Sequence, residues 1–430
     1  MGAKKIYKFS LFNSIITVGD KTDVVYNAYS DRFMLVHKGL IQENLLGFSE
    51  KTGLIDDLIK GGFIVERTVD EIERVKQLSQ RIDENDEEYN LIINPTLNCN
   101  FNCWYCYETK TAIQLMSTCI QERVKKFVQK TIETFPSLQM SFFGGEPLLG
   151  YQRVVKPLIK YANEVCMANG TKLSISFTSN GYLLTKEMIL FFKENHVDNF
   201  QITLDGNKEL HNQTRYIKKG ADSYSRIMEN IILLLENEIY VTLRFNYTDK
   251  NIDSFIEVID DLEKIDKKQK KFLLISLHQV WQNVSINLRE EVMRVVDFYS
   301  LKGFKISTPI FDNVRNSCYA DKKNNALINY DGNVFKCTAV DFENVKREGF
   351  LASDGTIIWE HNKMETRLKS KFKNKPCLEC RLLPICNGAC SQKALEYQGH
   401  DYCVLSYNDD KKNEVVLDRF YKYIRNINNL

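Results

Sequence analysis

Asn94-Pro95-Thr96-Leu97-Asn98-Cys99-Asn100-Phe101-Asn102-Cys103-Trp104-Tyr105-Cys106-Tyr107-Glu108 places three thiols in one tight loop, directly after the short apolar run Leu91-Ile92-Ile93. Thiolates are soft ligands that select zinc, copper(I) or iron–sulfur clusters. Structural zinc takes four ligands, and no fourth Cys or His lies nearby to close a shell around Cys99, Cys103 and Cys106. A cubane iron–sulfur cluster also has four corners, so three cysteines leave one iron without a protein ligand and open to a small molecule.

Outward from this loop, residues 90–309 alternate strand-like and helix-like patterns, which predicts parallel βα units. Leu91–Asn94 is the first strand, and Ile120, Val124, Phe127, Val128 and Ile132 mark the first amphipathic helix. Five further pairs follow, with strands over Leu138–Phe143, Leu173–Thr178, Phe200–Leu204, Tyr240–Tyr247 and Phe272–His278. Eight such units would close a barrel; six make an open one, whose reactive face lies at the carboxyl ends of the strands. The polar motifs stand at those ends. Gly144-Gly145-Glu146-Pro147 follows the second strand, Thr178-Ser179-Asn180-Gly181 the third, and Thr203-Leu204-Asp205-Gly206 the fourth, with His211 and Arg215 beyond. In the fifth strand Val241, Leu243 and Phe245 alternate with Thr242, Arg244 and Asn246, so Arg244 should face the lumen. Cys119 and Cys166 lie on helical stretches and read as small buried hydrophobes.

C-x3-C-x2-C with an aromatic before the last Cys resembles the signature of the radical S-adenosylmethionine (SAM) enzymes. The resemblance implies a partial (β/α)6 TIM-like barrel over residues 90–309, with a [4Fe-4S] cluster on Cys99, Cys103 and Cys106. It implies that Gly144, Gly145 and Glu146 hold the SAM amino group, and that Ser179, Asn180, Thr203 and Asp205 contact its ribose and carboxylate. Arg226 and Arg244 are its candidate carboxylate partners.

Residues 310–430 add seven cysteines in the order Cys318-x13-Gly332-x4-Cys337, Cys377-x2-Cys380-x5-Cys386-x3-Cys390 and Cys403. Two close pairs would suit a zinc ribbon. The full order resembles instead the SPASM extension of radical SAM enzymes, which implies two auxiliary [4Fe-4S] clusters, three in the whole chain. Cys377, Cys380, Cys386 and Cys403 would complete one; Cys318, Cys337 and Cys390 would supply three ligands to the other, whose fourth corner is either open or filled by a group the sequence does not name.

Residues 1–67 open with strand patterns at Tyr7–Phe12, Val24–Tyr29 and Arg32–His37, then a helical pattern through Ile41, Leu45, Leu46, Leu54, Leu58 and Ile59, then a last strand after Gly61-Gly62. This resembles a winged-helix-like element that recognises the leader of a ribosomally made, post-translationally modified (RiPP) precursor peptide, adding it as an edge strand. Residues 68–89, rich in charge, read as a solvated linker helix.

The 58 basic and 56 acidic side chains of this 430-residue chain nearly cancel, which excludes a general nucleic-acid binder. No apolar run reaches the ~18 residues of a membrane span. Leu11–Ile16 is too broken by polar residues for a signal peptide, so the expectation is a cytoplasmic protein in which 12 cysteines serve metal or catalysis. The resemblance implies an oxidoreductase that draws electrons from a donor such as flavodoxin or ferredoxin, makes a 5′-deoxyadenosyl radical and oxidatively crosslinks a precursor peptide, by a thioether where a substrate thiolate meets the open corner. Carbon–carbon or carbon–oxygen crosslinking and anaerobic sulfatase maturation are the alternatives. The sulfatase branch carries an Asp directly after the second SPASM cysteine, where this chain has Thr338, with Asp341 the next acid. A zinc-stabilised interaction protein is the reading without catalysis.

Overall fold

In the computed structural model, residues 6–41, 53–110, 114–283, 287–307, 317–360, 362–388, 390–397 and 399–427 are described. They form two units, residues 86–309 with 324–364, and residues 1–85 with 310–323 and 365–430. Leu45 and Leu46 of the expected N-terminal helix, and the expected boundary at 309/310, lie outside the described residues.

The N-terminal part of one unit begins with β1 (Tyr7–Phe9), followed by an antiparallel meander of β2 (Asn13–Val18), β3 (Thr22–Asn27) and β4 (Arg32–His37). The stretch weighed as a signal peptide thus contains a strand, β2, whose Ile16 joins a core with Phe12, Tyr26 and Ala28. Helix α1 (Gly53–Gly61) leads to β5 (Ile64–Glu66), which pairs antiparallel with β1. Helix α2 (Glu71–Asp83) starts at Asp70, whose side chain caps Glu73 N at 3.0 Å. The linker reading of residues 68–89 is corrected here. Val75 is fully buried in the same core as Phe12, Leu382, Leu383 and Val416, and Glu71 and Asp83 are buried as well. A charged composition hid an inward stripe because the buried acids have partners: Glu71 accepts from Leu11 N at 3.1 Å and Asp83 from Ser79 Oγ at 3.1 Å.

The other unit carries β6 (Glu88–Ile93), α3 (Thr118–Thr134), β7 (Ser137–Phe142), α4 (Lys156–Asn169), β8 (Lys172–Ser179), α5 (Lys186–Glu194) and β9 (Val197–Leu204). It continues through α6 (Lys208–Thr214), α7 (Ser223–Glu236), β10 (Tyr240–Tyr247), β11 (Leu273–Gln279), α8 (Arg289–Leu301) and β12 (Lys305–Ser307). Further along the chain come β13 (Asn325–Ile328), β14 (Asn333–Phe335), β15 (Gly349–Leu351) and β16 (Ile357–Trp359). One mixed sheet runs β12-β11-β10-β9-β8-β7-β6-β13-β14-β15-β16, parallel from β12 to β13 and antiparallel beyond.

The six expected strands are therefore joined by a short seventh, β12, and by β13 on the far side of β6. Nothing local announces β13. It is stitched to β6 by paired asparagines 235 residues apart, Asn90 to Asn325 at 2.9 Å and Asn94 to Asn329 at 3.3 Å. The helix-facing side of the sheet is apolar, with Phe142, Phe177 and Phe200 stacked ring on ring at 4.8 and 4.7 Å. On the opposite side Arg244 lies in register with Thr203 and Ser276, and Asn246 with His278. That polar side is the lumen expected from the alternation in β10. Cys166 is buried in the helix layer as expected; Cys119 instead is exposed in the first turn of α3, its Sγ beside the Arg123 guanidinium at 3.7 Å.

Candidate active site

The loop after β6 is held at both ends. Asn94 N donates to Ile328 O at 3.0 Å, Met116 N to Pro95 O at 2.8 Å, and Thr96 Oγ1 accepts from Asn98 N at 3.0 Å. Phe101, almost fully buried, anchors the middle edge-on to Tyr182. Cys99 Sγ accepts from Phe101 N at 3.4 Å and faces Asn180 Nδ2 at 3.9 Å.

The two glycines after β7 are required by close approach to this loop. At Gly144 (φ +79°) an added Cβ would lie 2.5 Å from Asn94 Cγ, and at Gly145 (φ +50°) 2.2 Å from Asn98 O. Two hydrogen bonds close the contact, Glu146 N to Asn98 O at 2.9 Å and Gly145 N to Glu108 Oε2 at 2.8 Å. Glu146 itself, expected to accept from the SAM amino group, is wholly buried and commits both oxygens within the protein. Oε1 accepts from Leu148 N and Ser179 Oγ at 3.0 and 2.9 Å, and Oε2 from Asn180 N at 2.7 Å. Burial pushes its carboxyl up and these donors oppose the shift. Glu146 thus braces the end of β8, and Asn180, held there, reaches Asn100 Oδ1 at 2.8 Å.

A second group of side chains converges on Tyr105, which stands inside the cysteine loop. Its hydroxyl donates to Asp205 Oδ2 at 2.9 Å and accepts from Arg215 Nη1 at 2.8 Å and Asn246 Nδ2 at 3.1 Å. Arg244 Nε in turn donates to Asn246 Oδ1 at 2.8 Å. Burial pushes the Asp205 carboxyl up to about 6 against the pull of Arg215. Thr203 is buried on β9 in register with Arg244. Arg226 does not join them: from α7 its Nη2 donates to Leu184 O at 2.8 Å, and it lies 3.6 Å from Glu229, partly exposed. Its place on a helix surface, not at a strand end, removes it from the lumen.

Tyr105, Glu108, Asn246 and His278 are not among the residues expected from the sequence. Glu108 is a raised carboxyl, at about 7, through burial, with Gly145 N opposing and Asp341 adding. His278 is held down to about 4 by burial and by Arg244. The period-two pattern of β11, extended from Arg244 and Asn246, is the signal that finds His278; Tyr105 and Glu108 carry none beyond lying in the motif.

The donors fit a cluster that coordinates through thiolate. Burial, with the Glu146 carboxylate, pushes Cys99 up to about 12, and burial raises Cys103 and Cys106, so metal binding must displace protons. Two polar atoms beside the loop, Asn100 Nδ2 and Glu108 Oε1, are buried without a hydrogen-bond partner among the described residues. In the other unit Cys377, Cys380, Cys386 and Cys403 line one cavity of about 260 Å³, with Tyr402 and Leu405. Asn374 Nδ2 donates to Cys377 Sγ at 3.0 Å and to Tyr402 O at 2.6 Å. Four cysteines around one cavity match the ligand number of a multi-iron group, although among the described residues no three Cys, His, Asp or Glu side chains are arranged to hold a metal ion as they stand. Cys318 and Cys390 are exposed in this unit, whereas Cys337 is buried in the unit of the sheet, its Sγ accepting from Ala339 N at 3.3 Å.

Residues 93–262 match the Radical SAM superfamily. The chain is similar to the radical SAM cyclopropyl synthase TigE of Paramaledivibacter caminithermalis, 23% identical over 382 residues, 80% of this chain and 77% of TigE. It is 22% identical over 331 residues to a cysteine-type anaerobic sulfatase-maturating enzyme of Clostridium perfringens, covering 70% of this chain and 88% of that enzyme. Its fold is similar to that of Streptococcus suis SuiB, crystallised with the precursor peptide SuiA, at a TM-score of 0.54 and 14% identity, covering 94% of this chain and 100% of SuiB.

Proposed function

From the premise that the chain carries a radical SAM domain over residues 93–262, we propose that it is a peptide maturase that crosslinks a ribosomally made precursor through a sulfur-to-carbon bond. Cys99, Cys103 and Cys106 would hold a [4Fe-4S] cluster, which together with SAM would supply radical abstraction of hydrogen from an unactivated C–H bond. The chain's own residues orient and shield that chemistry. Tyr105, Asp205, Arg215 and Asn246 lock the cysteine loop to the ends of β9 and β10, and Arg244 and His278 line the polar lumen where the substrate would lie.

The observation that carries the oxidative reading is the cavity ringed by Cys377, Cys380, Cys386 and Cys403. An auxiliary cluster there would accept the electron left over when a substrate radical forms a new bond. The thioether rests on the sequence resemblance, in which a cluster short of one cysteine takes a substrate thiolate as its matching ligand. The peptide reading is supported by TigE and SuiB, and by the edge strand β4 of the N-terminal meander, to which an extended leader could add. Against sulfatase maturation stands Thr338 after Cys337; Asp341 is engaged by Thr109 N and Oγ1 and by Asn344 Nδ2.

The test is mass spectrometry of the peptide encoded beside this gene after anaerobic incubation with enzyme, SAM and reductant. The expected product is two hydrogens lighter and does not form when the peptide's cysteines are changed to Ser. Crosslinking of the Ser peptide would replace the thioether by a carbon–carbon or carbon–oxygen bond.

A further inference from the structure

Glu108 is a half-buried carboxylate with no ion-pair partner among the described residues. Oε2 accepts from Gly145 N at 2.8 Å, inside the Gly-Gly turn, while Oε1 is buried and has no hydrogen-bond partner among the described residues. The charged group that acts on it is another carboxylate, Asp341, and Asp341 is already held by Thr109 and Asn344. A carboxylate with one buried oxygen unmatched is disfavoured as an anion unless it takes up a proton or a positive N–H donor arrives from outside. The side chain also stands in a telling place. It follows Cys106 by two residues, with Cys106 Sγ 3.8 Å from Glu108 O, and its carboxylate touches the turn that approaches Asn98. The neighbouring acid, Glu146, has both oxygens committed to Leu148, Ser179 and Asn180.

We propose that Glu108, and not the side chain of Glu146, is the carboxylate that receives the amino group of SAM, which donates an N–H to Oε1 while Oε2 keeps its bond to Gly145 N. The inference rests on the radical SAM reading of the site and assigns a binding role within it. Glu108 is a positioning residue: it orients the methionine end of SAM beside the thiolate loop and undergoes no chemistry. The Gly-Gly turn has a double use on this account, since the absence of a Cβ at Gly145 both admits the Asn98 carbonyl and keeps Gly145 N within reach of Glu108.

The experiment uses the full-length, iron-loaded protein under anaerobic conditions and measures equilibrium binding of SAM and of its analogue lacking the amino group. Glu108→Gln retains an amide oxygen for Gly145 N but turns an NH₂ toward the ligand. It should weaken SAM binding about 10- to 100-fold, the range of a hydrogen bond to a charged group. Affinity for the deaminated analogue should be equal in wild type and variant. Iron content and the spectrum of the reduced, SAM-free cluster should not change. Equal SAM affinity in the variant, or an equal penalty for both ligands, would mean that Glu108 only braces Gly145 and would overturn the assignment. Should the variant load iron poorly, an infrared difference spectrum of wild-type protein carrying ¹³C-glutamate decides: SAM must shift a carboxylate band that the deaminated analogue leaves in place, and no such shift overturns the assignment. A wild-type protein that binds no SAM at all would contradict the radical SAM reading itself, a different outcome from either.

Discussion

Cys99, Cys103 and Cys106 sit on a loop pinned from several sides: Asn94 and Met116 at its ends, Asn98 against the Gly-Gly turn, and Tyr105 against Asp205, Arg215 and Asn246. Cys377, Cys380, Cys386 and Cys403 instead line a cavity built from helical pieces of four residues, Lys375–Leu378 and Leu383–Cys386, and from irregular chain around Cys403. Helices that short have no stability of their own. They lean on Leu382, Leu383 and Ile385, which are buried with Val416. The first site borrows its shape from a large parallel sheet, and the second depends on a small core and on whatever fills its cavity. Two sets of thiols with similar local spacing thus need not respond alike when metal is withdrawn.

The largest expected effect concerns the pinned loop. Replacing Cys99, Cys103 and Cys106 together by Ala should abolish SAM cleavage and remove about four of the twelve irons expected from three cubane clusters, with little loss of folding because the loop is pinned by Asn94, Asn98, Tyr105 and Met116. SAM cleavage that persists would end the reading. The cavity set should behave in the opposite way. Changing Cys377, Cys380, Cys386 and Cys403 to Ala should also cost about four irons, yet leave slow SAM cleavage measurable while peptide oxidation is lost. Hydrogen exchange should then quicken across residues 374–405 and not across the parallel strands; equal quickening in both would erase the contrast drawn here.

Smaller effects probe the clasp between turn and loop. Gly145→Ala drives a Cβ into the Asn98 carbonyl from a left-handed backbone, and should cost about 2–4 kcal/mol of unfolding free energy in iron-free protein. Wild-type stability in that variant would mean the clasp gives way freely. The smallest shift is a pH effect at Asp205. Its folded pKa, about 6, lies above the ordinary 3.8, so the folded state holds a proton that the unfolded state has released between these values. Stability from this group is therefore full below about pH 4 and falls as pH rises through about 6. Asp205→Asn should gain on wild type by about 2–3 kcal/mol between pH 4 and pH 7, read from denaturant unfolding at each pH. A constant difference would show that Arg215 and Tyr105 offset the burial completely.

Of the site, the metal-facing part was the most legible, because Cys99, Cys103 and Cys106 are close in the chain and thiols have few other uses in such a cluster. Glycines at 144 and 145 were also readable as a point of close approach, although what approaches is the cysteine loop itself. The partners of Glu146 and Arg226 were not legible, because a charged side chain offers its partner no signature in sequence. One is spoken for by three donors from the turn and β8, the other by Leu184 O and Glu229. Helix α2 was misread because charge density does not reveal which acids face inward.

The alternation of βα patterns and the spacing of Cys99, Cys103 and Cys106 determine, with no other information, that this chain builds a parallel sheet and presents thiols at its carboxyl end. Both are short-range properties: a period of two or 3.6 residues, or ligands a few residues apart, is written where it acts. Tertiary structure decided the rest. Asn90 and Asn94 choose β13 as a partner across 235 residues, Tyr105 collects donors and an acceptor from the ends of β9 and β10 and from the residue after α6, and Glu108 meets Gly145 across a turn. Those contacts depend on which hydrogen-bonding groups burial leaves facing each other, and any of several Asn, Asp or Arg residues could satisfy them until the sheet fixes their positions.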